Sequence, residues 1–69
     1  MPPIYIVVLN DNADVNRVKS EIEALGFKVS RHLKYLNMLV IEGPEERVNE
    51  VAKLEGIKAI DKNRVIKPR

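Results

Sequence analysis

Cysteine and tryptophan are absent from the 69 residues, and only one histidine and three aromatic side chains occur. Without cysteine there is no disulfide framework and no thiolate metal site. A chain this short buries only about 60% of its unfolded surface, so apolar packing alone must hold it together. No apolar run approaches the roughly 18 residues of a membrane-spanning helix. Neither charge sign dominates: 12 basic and 10 acidic residues leave +2, too little for a nucleic-acid footprint. The three glycines are scattered at 26, 43 and 56, so there is no glycine-rich phosphate loop. The opening MPPIYIVV lacks the basic stretch and small-residue cleavage site of a signal peptide. That leaves an intracellular protein, or a leader upstream of Met1.

What is present is ordinary for one folded domain, 45% hydrophobic and 32% charged. IYIVVLN (4–10) reads as a strand buried on both faces. In DNADVNRVKSEIEALG, the residues Val15, Val18, Ile22 and Leu25 share one helical stripe. Asp11 or Asn12 is the expected cap, and Gly26 the left-handed stop. FKVSRHLKYL (27–36) alternates, with Phe27, Val29, Arg31, Leu33 and Tyr35 on one side and Lys28, Ser30, His32 and Lys34 on the other. Leu36-Asn37 is the expected tight turn, and MLVIE (38–42) a second apolar strand. Pro44 suits a first helical position and Glu45 and Glu46 the positive end of the helix dipole. Val48, Val51, Ala52 and Leu54 are the inner stripe of this second helix, ended by Gly56. IKAID (57–61) is the last strand.

The order β-α-β-β-α-β predicts an α+β, ferredoxin-like fold. Its four-stranded antiparallel sheet has two helices on one face, strands one and three in the centre, and an extended C-terminal tail. Both central strands are apolar at successive positions. Whichever parity meets the helices, the other leaves large apolar side chains on the open face, and such a patch marks an interface. Ile6, Val8, Met38 and Val40 are the candidates, with the parity left open. A loosely covered or self-associating sheet is the plainer alternative.

Catalytic chemistry finds no support. His32 lies on an edge strand, where a lone histidine is ordinarily solvated. Ser20 and Ser30 have no evident partners. Glu21, Glu23, Glu45 and Glu46 are helix residues, and none forms an acid–base pair in an apolar setting. No metal or cofactor site is expected. This topology is also that of the RNA-recognition motif, whose third strand carries basic and aromatic residues. MLVIE has neither, so an aliphatic open face suits a protein better than a nucleobase.

The chain runs on past its last strand as NRVIKPR (63–69). YIVVLN, a helix, GFKVSRHLKYLNMLVIEG, a second helix and GIKAIDKNRVIKPR together resemble the propeptide-inhibitor domain of subtilisin-like serine proteases. Gly26 and Val29 match the turn into the second strand, Leu33, Lys34 and Tyr35 its end, and Ile57, Ile60, Asp61 and Asn63 the last strand. The resemblance implies a non-enzymatic inhibitor and folding chaperone whose open sheet face packs on two parallel surface helices of the protease. It places Asp61 and Asn63 as caps on the starts of those helices. Asn63 stands where the family has a second acid and so lacks its charge, and Lys62 departs from the common acid.

It also implies a division into a domain at 1–62 and a tail at 63–69 that lies in the active-site cleft like a cleavage product. Val65, Ile66, Lys67, Pro68 and Arg69 are the cleft-binding residues. Ile66 would enter an apolar pocket, worth about 1.5–3 kcal/mol of side-chain burial. Lys67 would point outward, Pro68 would precede the cut, and Arg69 would occupy the primary pocket. An arginine there requires an acidic pocket, whereas many subtilisins prefer apolar residues. The partner is then a subtilisin-like protease, in cis as a propeptide or in trans as a freestanding inhibitor. Neither nucleic acid nor membrane is involved, and the free chain is a monomer. A secreted propeptide would be extracellular and a freestanding inhibitor cytoplasmic. The rival is a small ferredoxin-like regulatory or assembly module that pairs sheet to sheet.

Overall fold

A computed structural model describes residues 3–66, with side chains for residues 3–61. The strands are β1 (Ile4–Leu9), β2 (Lys28–Leu33), β3 (Met38–Glu42) and β4 (Ile57–Ile66), and the helices are α1 (Val15–Ala24) and α2 (Val48–Ala52). They form one antiparallel sheet in the order β2-β3-β1-β4. This is the ferredoxin-like βαββαβ fold, with β1 and β3 central as expected.

Parity is now fixed. Tyr5, Val7 and Leu9 of β1 and Leu39 and Ile41 of β3 are at most 1% exposed and form one core with Val18, Ile22, Val48 and Val51 of the helices. Successive strand residues point to opposite faces, so both helices cover the same face. Val15, Leu25, Leu54, Ile57 and Ile60 pack around this core.

Helix α1 follows from its stripe and its ends. Asp14 is the cap: its carboxylate accepts the Arg17 N–H at 3.2 Å. This corrects the expectation of Asp11 or Asn12; among the acidic and amide residues of DNAD, the one directly before the apolar stripe wins. The stop is as expected. Gly26 has φ +94°, its N–H reaches the Glu23 carbonyl at 3.0 Å, and the Phe27 N–H reaches Ile22 at 3.3 Å. These are the paired bonds of a Schellman end.

The second helical segment is less regular than expected. Pro44 stays extended, with ψ 126°, Glu45–Arg47 form a 3-10 turn, and the α-helix proper spans five residues. Val48 and Val51 are buried, but Ala52 is exposed, so Ala52 does not belong to the inner stripe. The helix ends at Lys53, and Gly56, with φ +95°, turns the chain into β4. Gly43 is placed by close approach instead: a Cβ there would lie 2.5 Å from the Phe27 ring.

Strand β2 departs most from the expected alternation. Val29 stands opposite Ile41 but Arg31 opposite Val40, so two residues, Ser30 and Arg31, face one. This is a β-bulge, and it reverses the parity of everything after it. Arg31 and Leu33 therefore do not share a face with Phe27 and Val29. The strand also ends earlier. Lys34–Leu36 form a 3-10 turn and Asn37 takes the left-handed conformation, where an expected strand carried Tyr35 on its Phe27 side. Tyr35 is instead fully exposed, at 102%, and Leu36 61%. Asn37 fastens the turn to β1, donating through Nδ2 to the Leu9 carbonyl at 3.0 Å and the Asn10 carbonyl at 3.2 Å.

Candidate functional site

The open face of the sheet is best described as rows running across the four strands, because directly paired residues share a face. The middle row is Arg31 (β2), Val40 (β3), Ile6 (β1) and Asp61 (β4). Beside it lies Leu33, Met38, Val8 and Ala59. On the other side Lys28 stands opposite Glu42, and Glu42 opposite Ile4. Ile4, Ile6, Val8, Leu33, Met38 and Val40 are all half-buried, and none packs on the core. The four candidates Ile6, Val8, Met38 and Val40 thus lie together at the centre of the open face, joined by Leu33, which alternation had placed elsewhere.

The charges sit at the sides of this apolar centre. Asp61 borders it on β4, opposite Ile6. Arg31 borders it on β2 and is exposed. Strand β4 continues to Ile66, beyond the expected end at Asp61, and Ile66 stands opposite Ile4. The backbone at Val65 and Ile66 is therefore extended. The side chains of Asn63, Val65 and Ile66 lie outside the described residues, as do Lys67, Pro68 and Arg69 altogether.

The helical side offers no comparable site. An open cleft of about 350 Å³ is lined by Asn10, Asn12, Asp14, Arg17 and Glu55, among others. Two of its charged groups are engaged: Asp14 caps α1, and Arg17 pairs with Glu21 at 3.3 Å. His32 is exposed opposite Leu39. Ser30 donates its hydroxyl to the Val40 carbonyl at 3.0 Å. Among the described residues no group of three or more His, Cys, Asp or Glu could hold a metal ion, and no helix is long and apolar enough to cross a membrane. Among the described residues, burial first, then the Glu45 and Glu46 carboxylates, raise the Tyr5 phenol above its ordinary value.

An apolar open sheet face of this kind commonly marks an interface. Residues 5–63 match the family model described as "Putative peptidase inhibitor domain". That match spans most of the chain, which therefore belongs to this family of peptidase inhibitors. The membership implies a protease as partner and an inhibitor rather than an enzyme. No curated protein and no solved structure matches the chain.

Proposed function

We propose that this chain inhibits a subtilisin-like serine protease by docking its open sheet face on the enzyme and laying residues 65–69 in the substrate cleft as a product would lie, with Ile66 leaving its pairing with Ile4 on binding. The observation that carries the reading is the cluster Ile6, Val8, Met38 and Val40, half-buried and outside the core, in a member of a peptidase inhibitor family. Its dimensions suit two parallel helices. Four strands at about 4.8 Å spacing are roughly 14 Å across, and two packed helices stand about 8–10 Å apart.

Asp61 supports the same reading. It borders the open face, where a carboxylate can accept the free N–H groups at a helix start on the protease. Asn63 would be a second acceptor without charge. Synthesised ahead of its protease, the same surface would template the helices it packs on and so act as a folding chaperone.

Inhibition assays test this with the intact chain and a version ending at Arg64. Strong inhibition that falls sharply without residues 65–69 supports a product-like tail. Equal inhibition by both assigns the affinity to the sheet face alone. The open face also suits a second copy of the chain. In that reading light scattering shows a dimer, truncation changes nothing, and no subtilisin-type protease is inhibited.

A further inference from the structure

From the bulge at Ser30 we infer that Arg31 is an orientation-setting residue of the docking face, reading an acidic group on the protease. The inference rests on the docking reading above and adds to it a residue and a partner chemistry. An unbroken β2 would place Arg31 on the Phe27 and Val29 side. The bulge re-aims it, so that Arg31 stands in one row with Val40, Ile6 and Asp61. Bulges commonly serve to redirect a side chain in this way. The Ser30 hydroxyl, 3.0 Å from the Val40 carbonyl, fastens the bulged residue to the neighbouring strand.

Burial does not force the bulge. Past it, His32 takes the helix-side position opposite Leu39 and remains exposed, so a polar side chain is tolerated on either face there. What the bulge changes is the open face, which gains Leu33 as apolar area and Arg31 as a charge. In the strand register Arg31 stands opposite the aliphatic Val40, whereas Lys28, the other β2 cation on this face, stands opposite Glu42.

The middle row then has a direction: a guanidinium at the β2 side, two aliphatic side chains, and a carboxylate at the β4 side. Aliphatic contacts alone do not fix which way a sheet lies across its partner, but complementary charges at opposite edges do. A carboxylate-bearing patch on the protease would face Arg31 while the positive helix starts face Asp61. Arg31 suits that task because its planar fork binds a carboxylate through two parallel hydrogen bonds.

The test compares the intact chain with Arg31→Gln, Arg31→Glu and Val40→Asp against one subtilisin-type protease, at low and high salt, with folding of each variant checked by circular dichroism. The expected result is that Val40→Asp abolishes inhibition. Arg31→Glu should slow association on the order of tenfold at low salt, Arg31→Gln less, with the differences shrinking in about 1 M salt as screening shortens to about 3 Å. Loss by Val40→Asp with undiminished association by Arg31→Glu overturns the role of Arg31 and leaves the docking reading intact. Undiminished inhibition by Val40→Asp, or none by the parent chain, overturns the docking reading and this inference with it.

Discussion

The two faces of this sheet are written in nearly the same alphabet. Along β1, Tyr5, Val7 and Leu9 vanish under the helices while Ile4, Ile6 and Val8, interleaved with them, stay half-buried. Along β3, Leu39 and Ile41 are fully buried, and Met38 and Val40 are not. Composition does not separate core from surface here; the position of two helices does. In a domain of 69 residues whose total stability is about 3–10 kcal/mol on the usual per-residue scale, aliphatic groups left off the core are a poor use of scarce apolar surface unless something else covers them. On the docking reading proposed above, the open face serves binding and the covered face folding, and the two should respond to substitution in opposite ways.

The largest expected effect tests that division directly. Ile41→Ala removes a fully buried side chain and should cost about 2–5 kcal/mol, enough to leave much of the protein unfolded. Val40→Ala, one residue away on the other face, should change the urea midpoint little, by less than about 1 kcal/mol, and weaken protease binding instead. Equal losses of stability would break the comparison, because the open face would then be holding the fold together.

Next in size is Gly43, buried where the chain leaves β3. Its missing Cβ is what lets the Phe27 ring approach, so Gly43→Ala should overpack the covered face and cost about 1–3 kcal/mol. The double variant Gly43→Ala with Phe27→Leu sharpens the point. If it recovers stability relative to Gly43→Ala alone, the clash with the ring is the cause.

The covered face was also the more legible one in sequence. The β-branched runs at 4–9 and 38–42, the stripe of Val18 and Ile22, and Gly26 after Leu25 each carry a period or a stop that a single residue type dictates. What escaped were features decided by register. Phe27, Val29, Arg31, Leu33 and Tyr35 fall at every second position across β2 and its flanks, and no glycine marks the bulge at Ser30, so alternation alone misplaces Arg31 and Leu33. DNAD offered more than one cap, and only the helix start chose Asp14. The candidates Ile6, Val8, Met38 and Val40 were readable as a set because they share one parity on two paired strands. Which parity lay open depended on where the helices docked.

Asn37 tests how the turn between β2 and β3 holds the open-face rows in register. Its left-handed backbone, φ 55°, and its two side-chain bonds to Leu9 and Asn10 are separable contributions. Asn37→Gly keeps the backbone and loses the bonds, for about 1 kcal/mol. Asn37→Ala loses both and should cost about 2 kcal/mol. If the two variants are equally stable by urea denaturation, the backbone conformation contributes nothing, and the side-chain bonds alone pin the turn.

The smallest effect concerns pH and belongs to the covered face alone. Burial first, then Glu45 and Glu46, raise the Tyr5 phenol above its ordinary value, which is about 10. The folded protein thus holds this proton to higher pH than the unfolded chain does. Its contribution to stability is complete below the unfolded value, and it is lost as pH rises through the folded one. The domain is only 17 Å through its thinnest dimension, so solvent screens the nearby carboxylates and the effect stays small. Between pH 8 and 10.5 the urea midpoint should therefore fall further in the parent chain than in Tyr5→Phe, which keeps the ring and removes the proton. Lysine titration is common to both and cancels in the difference. Identical slopes would mean that the phenol of the covered face meets the same solvent folded as unfolded, and that Tyr5 is held in the core by its ring alone.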